Sequence, residues 1–312
     1  MKINPRCTYC LLSRVHYQCN LVTDDIDLIN SVMKECITVL NHEYDPKKTS
    51  TRIGTAVHRK CFEILGNADP YSEVKKKNTE TALELLPEVR KLIYGADENG
   101  DACTIQTSRR PLEELFEKAV LAAVIGNYFD FGIIGVDASD SDFKAQFRSF
   151  FENGLDINDT KEMMKRLKHV VYLTDNCGEI VYDREVLGII REIQNQQKEI
   201  QPTLTLIVRG AEILTDATLE NAEELNMAAD VDQILTTGSN AIGILMNEVP
   251  EETLHALADA TLIISKGMAN YESLSDEKSV RPIAYLLRTK CEAVADSLGI
   301  EMGKSVAKLA TE

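Results

Sequence analysis

An acid and an amide stand side by side at Asp175-Asn176, just after the apolar run Val170-Val171-Tyr172-Leu173 and two residues ahead of Gly178. A helical pattern begins at Ile180. This is how a parallel strand of an α/β sheet delivers polar groups to its carboxyl end, where such sheets bind ligands. Neighbouring residues on a regular strand point to opposite faces. The two side chains therefore converge only if the backbone turns between them, and Gly178 makes a sharp turn easy. Two oxygen donors beside a helix N-terminus suit a hard divalent cation together with a phosphate.

The other polar clusters of the second half also follow runs that read as strands. Arg209-Gly210-Ala211-Glu212-Ile213-Leu214-Thr215-Asp216 comes after one, Thr237-Gly238-Ser239-Asn240 after the next, and Ser265-Lys266-Gly267-Met268-Ala269-Asn270-Tyr271-Glu272 after a third. Loops that share one sheet edge can form a single site. Each residue also has a plain structural reading. Asp216 suits a helix N-cap as well as a metal. Lys266 is either a solvated surface lysine or an anion contact, and its place at a strand end beside Gly267 favours the anion. Thr237, Gly238 and Ser239 read as a turn before they read as a phosphate nest. Asn127 and Asp130, three apart, would face one way on a helix and reach over the cleft, or else serve capping and packing. Glu272 is suited to orienting a substrate hydroxyl or to capping a turn.

Cys7-x-x-Cys10 has no second such pair, and a zinc site needs four ligands. His16 and Cys19 fit a core-facing helix better than a metal set, so buried thiols are expected. His42 and His58 fall in helical or loop contexts that imply no site. Cys177 has no histidine near it in sequence. Asp97-Glu98-Asn99-Gly100-Asp101 has only part of a calcium loop and reads as a solvated turn.

The elements that must position these groups fall into two textures. Residues 1–165 read as helical, with helices predicted near Cys7–Leu21, Asp24–Leu40, Thr51–Leu65, Tyr71–Leu86 and Pro111–Ile125. Residues 166–312 alternate strands (His169–Thr174, Thr203–Val208, Gln233–Thr236, Thr261–Ser265, Ile283–Arg288) with helices (Ile180–Lys198, Asp216–Leu225, Ala241–Asn247, Glu251–Ala258, Lys290–Leu298). The expected fold is α/β: a Rossmann-like, parallel-sheet C-terminal domain preceded by a helical N-terminal subdomain.

With 312 residues, 44% apolar and 27% charged, the composition is that of a soluble globular protein. Fifty acids against 34 bases give a formal charge of −16, which opposes binding to nucleic acid and anionic membrane. The same charge repels a phosphorylated metabolite, so a phosphate site needs local compensation by metal and lysine. No apolar run reaches the ~20 residues of a membrane span, the N-terminal residues lack a signal-peptide core, and eight dispersed cysteines fit reduced thiols. A cytoplasmic location is expected. The chain has no G-x-G-x-x-G, no G-x-x-x-x-G-K-[ST] and no G-x-S-x-G, which argues against dinucleotide binding, P-loop hydrolysis and the common serine hydrolases.

Taken together, Asp175-Asn176-x-Gly178-Glu179, Asp216-x-Thr218, Thr237-Gly238-Ser239 and Lys266-Gly267-x-x-Asn270-Tyr271-Glu272 resemble the metal-dependent damage-control phosphatases. That family includes the acidic-residue methyltransferase-like proteins and the phosphatase module fused to pantothenate kinases. Asp69-Pro70-Tyr71 and Gly126-Asn127-Tyr128-Phe129-Asp130 match as well, and Cys7-x-x-Cys10 is typical of a short archaeal-type branch. The resemblance implies a divalent metal (magnesium, manganese, cobalt or nickel) held by Asp175, Asn176 and Asp216, with phosphate near Lys266. It implies hydrolysis of small phosphate monoesters, sugar phosphates or damaged phosphometabolites, with Asn127, Asp130, Glu179, Thr237, Gly238, Ser239, Gly267, Asn270 and Glu272 around the substrate. Thr215 and Met268 depart from the family's usual asparagine and glutamine. Metal-activated water and an aspartyl-phosphate on Asp175 both remain open as routes. The alternatives are a carboxyl methyltransferase-like enzyme, for which the strand-end loop offers only one glycine, and a non-catalytic phosphometabolite-binding protein.

Overall fold

Apolar residues at three- and four-residue spacing build the first part of the chain as helices: α1 (Cys7–Asn20), α2 (Ile26–Glu43), α3 (Ser50–Leu65), α4 (Ser72–Tyr94), α5 (Leu112–Gly126) and α6 (Asp140–Asn153). The structure is a computed structural model and describes residues 1–127, 140–196 and 201–311. Asp25 caps α2 by accepting from the amides of Asp27 and Leu28 at 3.0 and 3.3 Å, and Thr49 caps α3 through the Arg52 amide at 3.3 Å.

Strands β1 (Ile157–Asn158), β2 (His169–Leu173), β3 (Thr203–Val208), β4 (Gln233–Thr236), β5 (Leu262–Lys266), β6 (Ile283–Arg288) and β7 (Ser305–Ala310) form one sheet in the order β1-β7-β6-β5-β2-β3-β4. Helices α7 (Thr160–Met164), α8 (Ile180–Gln196), α9 (Leu219–Glu224), α10 (Glu251–Asp259), α11 (Gly267–Leu274) and α12 (Glu292–Leu298) connect them. Strands β2 to β6 pair in parallel, as the strand–helix alternation predicts. β7 runs antiparallel to β6 and carries the two-residue β1 on its outer edge, an addition the sequence pattern does not announce.

The pleat sorts the strands' apolar residues to two covered faces. Val170, Tyr172, Leu262 and Ile264 join the cluster built with α4, α5 and α8. Val171, Leu173, Ile263 and Ile283 face the opposite cluster with α11 and α12. A third cluster sits among α1, α2 and α3, where Cys19, Cys36 and Cys61 are buried. Among the described residues no helix is long and apolar enough to cross a membrane.

Three local expectations change. Residues 241–247 form no helix; the chain there is irregular, with Gly243 at φ 66° and its carbonyl bound by Arg209. Ser265–Glu272 is not a loop: β5 ends at Lys266 and α11 starts on the next residue, because Gly267 (φ 76°) turns the chain in one step. The helix predicted from Asp216 begins at Leu219, with Thr218 as its N-cap residue, so Asp216 is not the cap.

Helices α5 and α8 meet closely at Gly126, where a Cβ would stand 2.7 Å from the ring of fully buried Tyr182. Gly126→Ala should destabilise the fold by about 1–3 kcal/mol, measured as a lowered urea midpoint at unchanged m-value.

Candidate active site

The strand order reverses between β2 and β5: the chain builds outward through β3 and β4, then returns to the other side of β2. The crevice at such a switch point lies beyond the carboxyl ends of the two strands, where no connection covers it. Asp175 leaves β2 on one side of it, and Gly267 follows β5 on the other. The two come so close that a Cβ at position 267 would overlap the Asp175 carboxylate.

The loops after β2 and β3 are zipped together. The Ala217 amide donates to Asp175 O at 2.7 Å, the Cys177 amide to Thr215 O at 2.9 Å, and Asn176 and Asp216 pair as an antiparallel bridge. Leu214 adopts a left-handed φ of 48°, rare for a residue with a branched side chain, and turns Thr215 and Asp216 inward. Asp175, Asn176 and Asp216 thus line one cavity of about 430 Å³, together with Asn127, Thr215 and Lys290.

Amide and guanidinium donors fix the floor. Asp175 Oδ2 accepts from Asn127 Nδ2 at 2.8 Å and Asn176 Nδ2 at 3.0 Å. The same two amides reach Glu179 Oε2 at 2.9 and 3.1 Å. Thr215 Oγ1 donates to Asn176 Oδ1 at 2.6 Å, so the hydroxyl sets which end of the amide carries oxygen. Arg209, 3% exposed, donates to Asp216 Oδ2, to the Gly243 carbonyl and to Asn270 Oδ1. Asn270 in turn donates to the carbonyls of Thr174 and Lys266 at 2.9 and 2.8 Å, which ties the ends of β2 and β5. Burial, then the charges of Glu179 and Asp216, push the Asp175 carboxyl well above the usual range, against a pull from Lys290 and Arg209.

Lys266 lies behind this floor and is not among the cavity-lining residues. Its ammonium is fully buried and donates to Glu179, to Asp183 Oδ1 at 2.6 Å and to the Ala123 carbonyl at 3.1 Å. Three donors meet three acceptors. Burial opposes the charge, but Asp183 and Glu179 outweigh it and hold the amine above its ordinary pKa. Tyr172 completes the network by donating to Asp183 Oδ1 at 2.8 Å.

A lysine that does line the cavity is Lys290, from the loop after β6, alongside Arg6 and Arg14 of the N-terminal segment. Sequence reasoning passed over it as the start of a helix, and its signal was the same as that of Lys266: a lysine just beyond a strand end. Arg209 was likewise visible as an arginine ending a strand, with nothing local to show what it reached. Thr237, Gly238 and Ser239 are not among the cavity-lining residues; Thr237 Oγ1 accepts from the Gly210 amide at 3.1 Å, and the turn packs onto Gly210. Glu272 lines the cavity with Oε2 on Ser50 Oγ at 3.0 Å. Asp130 lies outside the described residues. Cys7 and Cys10 line the cavity; Cys7, half-buried, also packs against the α1–α3 cluster, whereas Cys10 is exposed.

Among the described residues no group of three His, Cys, Asp or Glu side chains is arranged to hold a metal. The floor offers instead two carboxylates and an amide. Asp175, Glu179, Asp183 and Asp216 face Lys266 and Arg209, and Lys290 lines the same cavity and pulls the Asp175 carboxyl down. The carboxylate and amide donors of the floor are the oxygens that hard cations take. The first turn of α11 has no side-chain cap, and its Met268 and Ala269 line the cavity wall; the free amides of a helix start are groups that can receive an anion.

The chain is similar over its whole length to known proteins. A family model described as the damage-control phosphatase ARMT1-like domain matches residues 3–306. A damage-control phosphatase of Archaeoglobus fulgidus is 41% identical over 311 residues, covering 99% of both chains. A damage-control phosphatase of Pyrococcus horikoshii is 29% identical over 98% of this chain and 97% of its own. The crystal structure of a DUF89 family protein from Pyrococcus horikoshii superposes with a TM-score of 0.82 at 28% identity, over 99% of each chain.

The buried setting of Lys266 has a measurable consequence. Lys266→Met would leave Glu179 and Asp183 without their shared cation and should cost about 3–5 kcal/mol of stability, read from urea unfolding. A near-neutral result would show that the amine is not what holds those carboxylates.

Proposed function

The chain belongs to the ARMT1-like damage-control phosphatase family, and from that premise we propose that it hydrolyses small phosphate monoesters, damaged phosphometabolites or sugar phosphates, with a divalent metal held at the cavity floor. One observation carries the reading: Asp175, Asn176 and Asp216 converge from two zipped loops on a single cavity. These three residues would hold the cation, with magnesium, manganese, cobalt and nickel as the candidates. When bound, it would supply Lewis-acid polarisation of a phosphoryl oxygen.

Phosphoryl transfer asks mainly for positioning and charge neutralisation. Asn127 and Asn176 hold Asp175 Oδ2, and Arg209 holds Asp216 Oδ2, so the ligand carboxylates are set before substrate arrives. The first turn of α11 and Lys290 take the phosphate oxygens. Lys266 acts as a positioning residue: it neutralises Glu179 and Asp183 and fixes the carboxylate that orients Asn127 and Asn176. Glu272 and Ser50 lie where the alcohol part of the ester would sit.

Turnover of a phosphate-monoester panel should appear with one or more of the four metals and vanish in a chelator; activity that survives chelation would overturn the metal assignment. Lys290→Met should lower kcat/KM about 10²–10³-fold, the usual loss of one electrostatic donor at a reacting centre, with urea stability near wild type. An unchanged kcat/KM would return the phosphate contact to another cation.

A further inference from the structure

The far end of the cavity is walled by α1 and α3. Ser50, Gly54 and His58, four residues apart, lie on one face of α3 and all line it. His58 is wholly buried, with Nδ1 2.9 Å from Gln18 Oε1. Its Nε2 has no hydrogen-bond partner among the described residues. In this orientation the Gln18 carbonyl oxygen accepts the proton of Nδ1 and leaves Nε2 with a bare lone pair, while the Gln18 amide nitrogen is itself buried without a partner among the described residues. Burial first, and then the Arg14 charge, bring the imidazole down to about 3, so it is neutral at any working pH.

An unpaired buried acceptor is costly in a packed protein. Here the imidazole that carries it lines the same cavity as the floor, as does Glu272, whose carboxylate accepts from Ser50 Oγ. Arg14, another cavity-lining residue, places its charge near both His58 and Glu272. This recess offers acceptors, at His58 Nε2 and at the Glu272 carboxylate. A neutral donor completes it: the hydroxyl of an alcohol.

We propose that His58 is a specificity-determining residue whose Nε2 accepts a hydrogen bond from a hydroxyl of the substrate's leaving group, with Gln18 holding the imidazole in the accepting tautomer. The assignment rests on the phosphatase reading, because it takes the leaving group to be an alcohol that extends from the floor toward α3. His58 touches no reacting atom in this scheme. Its effect falls on KM and on discrimination between alcohols rather than on kcat.

The test is a double-difference measurement. Wild type, His58→Phe and Gln18→Leu are assayed with a pentose 5-phosphate and its single-deoxy analogues. In wild type one deoxy position should lower kcat/KM roughly 5- to 150-fold, the range for leaving one buried polar atom unpaired. In His58→Phe that analogue and its parent should no longer differ, because the two losses are one interaction removed twice. Gln18→Leu, which releases the tautomer, should shrink the difference part of the way and keeps the test alive if His58→Phe does not fold. The same deoxy profile in variant and wild type overturns the proposal, as does a wild type indifferent to every deoxy position. If wild type hydrolyses none of these esters, the phosphatase reading fails on its own. Calorimetric Kd values for the pentose phosphate and its analogues then decide the subsite, and equal affinities across wild type and variants overturn it.

Discussion

A buried ammonium between two buried carboxylates holds the floor in shape. Lys266 ends β5, Glu179 precedes α8 and Asp183 lies in its first turn, so the cluster locks the end of one strand to the beginning of the helix that follows its neighbour. Glu179 then sets two amides, and those amides set Asp175. A charge cluster of this kind is weak evidence for stability, since burying charge is costly in itself. Its value here is orientation: each acceptor in the chain has one geometry, and the last member faces the cavity.

The floor repeats a single device, a side chain fixed by something outside its own loop. Asp175 is held from Asn127, the C-cap residue that follows α5, Asp216 by Arg209 at the end of β3, and Arg209 by Asn270 of α11. The parallel sheet makes this possible, because its strands deliver their ends to one edge and the switch point leaves that edge open. The glycine at 267 belongs to the same logic, since it admits the Asp175 carboxylate where a side chain would exclude it.

The two ends of the cavity differ in origin. The floor comes from the sheet's strand-end loops, whereas the far wall comes from α1 and α3, which bury a cluster of their own. Arg59 of α3 pairs with Glu248 at 2.6 Å and depresses that carboxyl to about 2, and its Nε donates to Asn240 at 2.8 Å, so the helices are pinned to the loop that follows β4. A floor carried on the sheet edge and a far wall carried on separate helices can vary independently of one another.

Sequence by itself determined the strands β2 to β6 and the residues that leave their ends, because a buried parallel strand needs a continuous apolar run and its boundary is written where polarity begins. It also placed Asp175, Asn176 and Asp216 on adjoining loops, and it left Asp216 divided between cap and ligand. Only the tertiary structure decided that Thr218 is the N-cap residue, that Lys266 faces inward while Lys290 faces the cavity, and that Thr237–Ser239 packs away as a turn. Two lysines after two strands look alike in sequence. What separates them is which acceptors the fold brings within reach, and those of Lys266 lie 83 to 143 residues away, beyond any local pattern.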